Sequence, residues 1–529
     1  MTATHQADVV VIGAGHNGLI TAALLAKRGK QVVLLEKKDV VGGAAITETP
    51  WGPDFKVTAL SYVVSLLPPV VVQGLELEKH GYQVFPQGPY FAPHTDGRFL
   101  ALPSDAARRH AQVAKFSAKD ADALPRWEAW LKGLATHLGP LMAVAPPKVG
   151  SKTPGDLWDL ASLAWKLRGL SVHDVGEVTR LLTSSISDLL DEYFESPQLK
   201  GVLAVSGIIG TWAGPRAPGT AFVMAHHQVG DTGHGQVAAW GFPKGGMGGV
   251  TQAMRLAAEA VGVRVVTGAP VARIVTKDGR VTGVALENGD EFHASTVVAT
   301  CHPAFTFLKL MERSALPSEF VRRIETWRSR SGVVKVNLAL DRLPEFTAKP
   351  GVDAEVHGGT IVLADSLDDI EGAFQDAVAG RAAVRPFADI CIPSYFDKSL
   401  APEGKHVMSM FTQWVPHEWA DAPDAQALDA YVTRLLARVE AVAPGFTSSI
   451  LHKQVIGPHE LQRDYGLVGG NIFHGELSLS QLFHLRPAAG WADFTTPIDG
   501  LFHASSATHG GGGVTGIPAL QVVKRILAR

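Results

Sequence analysis

A chain of 529 residues exceeds what one hydrophobic core organises, because cores stop growing near about 250–300 residues, so two interlocked domains are expected. Apolar residues make up 46% and charged residues 19%, a globular balance that excludes a disordered chain. The formal net charge of −3, without a long basic block, argues against nucleic acid as a partner, and the two cysteines, Cys301 and Cys391, exclude both a disulfide framework and a Cys-x-x-Cys redox pair.

A short polar lead, MTATHQA, passes directly into DVVVI (8–12), which reads as a buried parallel strand. The start of the chain carries neither a secretory apolar core nor an Arg-rich transit helix, and no uncharged apolar run approaches a bilayer-spanning length. A cytoplasmic protein is therefore expected, with peripheral contact to a membrane left open at the apolar stretches 59–75 and 201–212. Residues 17–28 read as an Ala- and Leu-rich helix with Gly29 at its C-terminal stop, and 31–36 as a second strand, completing a βαβ unit. From 104 to 200 the pattern is mostly helical, with a loop near 145–155 and amphipathic segments at 156–167 and 178–194. The Gly-interrupted stretch 201–212 reads as a cavity wall or a close-packed helix.

Strand character returns at 263–275, followed by a hairpin pattern whose turns are signalled by Asp278-Gly279 and Asn288-Gly289. A second mixed region covers 305–455, and the C-terminal end reads strand, Gly-rich turn, helix. Dinucleotide-binding pieces thus alternate with other material. The expected fold is α/β, a Rossmann-type dinucleotide-binding domain (1–75, 245–304 and 456–529) interleaved with an α+β substrate domain (76–244 and 305–455).

Gly13-Ala14-Gly15-His16-Asn17-Gly18 is a GxGxxG fingerprint lying directly between a strand and a helix. Gly13 permits the tight turn, Gly15 lets backbone approach a pyrophosphate, and Gly18 allows close helix–strand packing, while the helix N-terminus offers free N–H groups to the anion. Glu36, eighteen residues after Gly18, ends the next strand, where a carboxylate accepts ribose hydroxyls and repels a 2′-phosphate. Gly42-Gly43, close behind that acid, brings backbone a second time toward the cofactor and favours FAD over NAD. Ala14, Asn17, Lys37 and Ala44 complete the expected contact set of this end.

DVVVIGAGHNGL with LLEKKDVVGGAA resembles the opening of phytoene desaturase-type flavoproteins, and the similarity continues at 241–254, 471–487 and 500–516. GLFHASSATHGGGGVTG is particularly similar to the subgroup named pyridine nucleotide-disulphide oxidoreductase domain-containing protein 2. The resemblance implies a glutathione reductase-like, amine oxidase-like FAD fold. In that fold the strand carrying Val271 meets the adenine, and Ser505, Gly513, Val514 and Thr515 belong to a turn against the flavin, with a helix from about Thr515 aimed at the ring. Ser505 and Ala507 stand where that pattern commonly has glycine, and Gly510 where it has proline.

The flavin carries the difficult step, so no triad is required and none is visible. His509, inside the flavin-facing turn, and His227, in the His226-His227 pair with His234 nearby, are the candidate catalytic side chains. His474 and Arg486 are candidate cavity residues, and Trp240 and Phe242 are candidates for an aromatic pair. The Gly245-Gly246 pair is expected to let backbone pass near the flavin. No metal is expected, because the histidines lack ligand spacing. Three functions compete: dehydrogenation or desaturation of an apolar small molecule by hydride transfer, amine-oxidase-like chemistry using oxygen, and a flavin-bearing scaffold without turnover. The electron acceptor is open between oxygen and a quinone, and the oligomeric state is not set by these residues.

Overall fold

The computed structural model of the chain describes residues 3–528 except 149, 151, 229, 231 and 233–238. Runs of β-branched residues far apart in the chain meet in one five-stranded sheet, in the order Arg264–Val266, Val32–Leu35, Val9–Ile12, Thr296–Ala299, Leu501–His503. Every neighbouring pair is parallel. All four residues of Val9–Ile12 and of Val32–Leu35 are buried, as a parallel sheet covered on both faces requires. Val9, Val11 and Leu34 pack beneath the helices His16–Ala26, Met247–Ala260 and Ile517–Leu527. Val10, Ile12 and Val33, pointing the other way along the pleat, pack against Ile274, Val284 and Phe292.

Those last three residues belong to a second sheet, in which Val271–Lys277, Arg280–Leu286 and Glu291–His293 are antiparallel neighbours. Asp278 and Gly279 both have positive φ (50° and 74°), the two-residue hairpin geometry that an Asp-Gly pair favours. The N-terminal lead is more than a polar tail: Thr4–Gln6 adds to this sheet, in parallel with Glu291–His293.

A third sheet of seven strands runs Ile450–Ile456, Val333–Leu340, His406–Gln413, Phe387–Cys391, Thr360–Leu363, Tyr90–Pro93, Phe99–Leu102. It is antiparallel except where Thr360–Leu363 meets Tyr90–Pro93. Helices between Ala106 and Ala204 pack on it through a large shared core. The amphipathic stretch 178–194 is divided between two helices, Val172–Thr183 and Ile186–Tyr193. Ser185 takes an extended backbone and caps the second through a reciprocal bond pair with Asp188, so a cap interrupts what periodicity alone reads as continuous. The stretch 201–212 serves both expected uses. A Cβ on Gly207 would stand 3.0 Å from the Ile186 side chain, whereas Ile209 faces an internal cavity.

Candidate functional site

A cavity of about 570 Å³ runs from the C-terminal edge of the parallel sheet to the face of the seven-stranded sheet. At its first end the wall is largely backbone. The Gly13 N–H donates to the Leu35 carbonyl at 2.8 Å, holding the loop against the neighbouring strand. A Cβ on Gly18 would lie 1.9 Å from the Gly13 carbonyl oxygen, so only glycine lets the helix start this close to the turn. Gly15 is different. A Cβ there meets no protein atom within 4 Å, because the residue faces the cavity.

The second glycine pair is laced onto the first. Gly42 donates to the Ala14 carbonyl at 2.9 Å and pairs with Gly15 in an isolated parallel bridge. Gly42 has φ of 129°, and its Cβ would stand 2.6 Å from the Ala45 carbonyl oxygen. The Glu36 carboxylate accepts from the Ala14 N–H at 2.8 Å and from the Lys38 N–H at 3.0 Å, which aims it along the cavity wall. The His16–Ala26 helix has no side-chain cap, so its first-turn N–H groups stand open where Gly15, His16 and Asn17 line the cavity.

Among the described residues, three buried polar atoms in this lining lack a partner: His16 Nε2, Asn17 Oδ1 and His474 Nδ1. Burial lowers His16 to about 4 and His474 to about 3, so both rings are neutral near pH 7. An uncapped helix start, a carboxylate at ribose distance in sequence and unpaired polar atoms aimed into one channel together fit a dinucleotide cofactor.

Of the expected contact set, Gly13, Gly15, Asn17, Glu36, Lys37, Gly42, Gly43, Ala44, Val271, Gly513 and Val514 line the cavity. Ala14 and Gly18 lie just behind it, as the turn's support. Ser505 and Thr515 are fully buried away from it. Ser505 Oγ accepts from the Ala507 N–H at 3.0 Å, and Thr515 Oγ1 accepts from the Ile517 N–H at 3.2 Å. Ser506 takes the lining position instead. The last helix begins at Ile517 rather than Thr515, after Gly516 in the left-handed region.

The histidine assignments change in the same way. His227 lines the cavity, with its ring stacked on Trp240 at 6.3 Å and Nδ1 bonded to the Val223 carbonyl. His509 does not line it. Its Nε2 bonds the Leu141 carbonyl at 2.9 Å behind the Gly-rich turn, and burial lowers it to about 4, so it braces the turn as a neutral ring. His234 falls outside the described residues. Among the described residues no cluster of side chains has metal-binding geometry.

Arg486 is also absent from the lining. Its guanidinium donates to five carbonyls, those of Phe473, Glu476, Gln481, Ser506 and Thr508, and clamps the 473–481 segment to the Gly-rich turn. Trp240 faces the cavity but Phe242 is interior, so the two form no pair there. The Gly245-Gly246 turn packs away from the cavity, where a Cβ on Gly246 would stand 2.5 Å from Thr47 Oγ1. Cys301 lines the cofactor end, but burial pushes its thiol up to about 12, which leaves it protonated and inert.

The far end of the cavity is built from side chains. Leu60, Leu66, Ile209, Phe411 and Phe473 make it mainly apolar. Lys335 enters from Val333–Leu340, the second strand of the seven-stranded sheet, 1% exposed, with its Nζ donating to Asn337 Oδ1 at 2.9 Å and to Ser409 Oγ and lying 5.1 Å from the Tyr62 ring. Phe411 is the register partner of both Lys335 and Asp389, so the three side chains share one row and one face. Burial lowers Lys335 to about 7 and raises Asp389 to about 7, with Tyr62 hydrogen-bonding the Asp389 carboxyl. An amine whose protonation changes near neutrality, enclosed in an apolar chamber, is equipped to take a proton. Sequence reasoning passed over this group. The signal was a lysine and an asparagine two apart within VVKVNLAL, and an aspartate within FADIC, each the polar exception in a buried strand.

Residues 166–516 match the family model described as flavin containing amine oxidoreductase, and residues 11–69 match an NAD(P)-binding Rossmann-like domain. A rat protein named pyridine nucleotide-disulfide oxidoreductase domain-containing protein 2 is 38% identical, over 96% of this chain and 91% of its own. The zeta-carotene-forming phytoene desaturase of Myxococcus xanthus is 27% identical over 55% of this chain and 52% of its own. Among solved structures, a putrescine oxidase triple mutant superposes with a TM-score of 0.64 at 16% identity, covering 99% of this chain and 100% of that one, which establishes a shared fold.

Proposed function

We propose, for a chain that belongs to the flavin containing amine oxidoreductase family and to its pyridine nucleotide-disulfide oxidoreductase domain-containing protein 2 branch, the dehydrogenation or desaturation of an apolar small molecule. FAD is the cofactor and supplies the two-electron acceptor. The disulfide chemistry in the branch's name has no counterpart here, since both cysteines are free thiols raised by burial.

The single observation that carries this reading is the apolar chamber with one buried amine at its floor. Removing hydrogen across a bond takes a hydride and a proton. Glu36, the Gly15 backbone and the first turn of the His16–Ala26 helix hold the cofactor's ribose and pyrophosphate. Leu60, Leu66, Ile209 and Phe473 exclude water and position an apolar substrate. Neutral Lys335 receives the proton at Nζ, with Asn337 and Ser409 orienting it by hydrogen bonds and Asp389 facing it along the sheet. The name of the Myxococcus xanthus relative supports a polyene or lipid as the substrate class.

Anaerobic mixing of the yellow protein with polyenes, unsaturated lipids and amines tests this. Bleaching of the flavin bands by polyenes or lipids alone is the expected result, and bleaching by amines alone overturns it. The second reading, oxidation of an amine with oxygen, draws its support from Tyr62 and Phe411 beside the same amine and Trp240 elsewhere in the cavity lining, aromatic faces suited to a nitrogen-bearing substrate. Quinone and oxygen as acceptors are separated by reoxidising the reduced protein with each in turn.

A further inference from the structure

The Pro154–Leu167 helix reverses the usual placement of an amphipathic helix. Its first-turn acid, Asp156, is buried and ion-paired to Arg525 at 2.9 Å, whereas Leu157 (51%), Trp158 (74%), Leu160 (46%) and Trp165 (66%) are exposed. At about 100° per residue these four side chains and Arg168 fall within one arc of roughly 160°. Beyond the following turn, at the start of the Val172–Thr183 helix, Val172 (92%) and Val175 (53%) are exposed as well. Isolated exposed apolar residues need no explanation, but a contiguous patch containing two indoles does. By contrast, the apolar stretches singled out from sequence turn mostly inward: Leu60, Val64, Leu67, Val202 and Ile208 are buried, and Val70 (56%) is a single exposed exception.

The chain flanking the helix carries exposed cations. Lys148 and Lys152, just ahead of the helix in sequence, and Arg168, at its C-terminal end, are exposed. Asp156 is committed to Arg525, and Asp174 to the Ser171 cap. Arg168 lies over the Trp165 ring at 3.7 Å, which pairs a cation with an amphipathic ring as an interface between headgroup and acyl chain favours. Fourteen residues reach about 21 Å, short of a hydrocarbon core of about 30 Å, and no described helix is long and apolar enough to cross a membrane. A helix of this kind lies in the plane of a bilayer surface.

We infer that the Pro154–Leu167 helix and the adjoining Val172–Val175 turn form a docking surface for an anionic lipid bilayer. This inference stands apart from the substrate reading. Ahead of the helix, the Leu141 carbonyl is bonded by His509 of the Gly-rich turn and the Ala143 carbonyl by Gln521 of the last helix.

The test is flotation of the FAD-loaded full chain with vesicles of phosphatidylcholine alone and of phosphatidylcholine with phosphatidylserine. Binding to the anionic vesicles, weakened by salt, is expected. The double variant Trp158→Ser/Trp165→Ser should bind at least roughly tenfold more weakly, and Lys148→Glu/Lys152→Glu also about tenfold more weakly, with flavin content and melting temperature unchanged. No flotation of the wild-type chain with either vesicle overturns the inference. So does equal flotation of wild type and the tryptophan double variant. Sedimentation that finds a wild-type dimer and a monomeric tryptophan double variant, without vesicle binding, assigns the patch to a second copy instead.

Discussion

The two ends of the cavity recognise their ligands by different means. At the parallel-sheet end the contacts come from backbone: glycines without a Cβ, an uncapped helix start and one carboxylate, all within 13–43. At the antiparallel end they come from side chains on strands and loops that span Leu60 to Phe473. Backbone recognition needs a local chain path, so its determinants are neighbours in sequence. Side-chain recognition needs register, and register joins Lys335, Phe411 and Asp389 only after the sheet has formed. Cofactor binding and proton handling should therefore fail separately.

The largest expected effect is at Gly15. Gly15→Val fills open space at the pyrophosphate position without touching the protein, so flavin retention should fall by roughly three orders of magnitude, about 4 kcal/mol, while the circular dichroism spectrum is kept. A folded Gly15→Val protein that stays yellow would dissolve the distinction between the ends. Next is Lys335→Met, which should slow anaerobic flavin reduction by about a hundredfold or more with FAD content unchanged. In the wild type that rate should rise with pH through about 7, as Lys335 loses its proton and becomes able to accept another, and the rise should vanish in Lys335→Met. A pH-independent wild-type rate would remove the amine from the proton path.

Glu36→Ala should weaken FAD binding roughly ten- to hundredfold, the worth of a hydrogen bond to a charged acceptor, read by flavin fluorescence on dilution. Reduction of the flavin that remains bound should keep its rate, and a changed rate would mean that the two ends are coupled. The smallest effect sharpens the picture away from the cavity. Ser185→Ala removes the cap between two helices and should cost about 1 kcal/mol, seen as a shift in melting temperature with flavin content and reduction rate intact.

The dinucleotide end was legible because each of its signals lies within one βαβ unit, where strand, glycine turn, helix and acid follow in order. Gly42-Gly43 was legible for the same reason. His509 was misplaced because its neighbourhood in sequence, a Gly-rich turn, faces the cavity through Ser506, Gly513 and Val514 while its own ring points back to Leu141. Arg486 showed in sequence as a charge near a conspicuous motif, and nothing local revealed that five carbonyls surround it. The exposed face of Pro154–Leu167 escaped notice because periodicity locates an apolar face without saying whether protein covers it.

From the amino-acid order alone came the parallel-sheet pieces, the fingerprint, the acid after it, the hairpin turns and hence a flavin-binding Rossmann fold, since each depends on short-range backbone geometry and on an alternation that local sequence carries. Tertiary structure decided which histidine meets the cavity, how Lys335 comes to titrate near neutrality and which helix turns its tryptophans outward. Those properties arise from desolvation and from packing between segments hundreds of residues apart, and no stretch of chain carries them by itself.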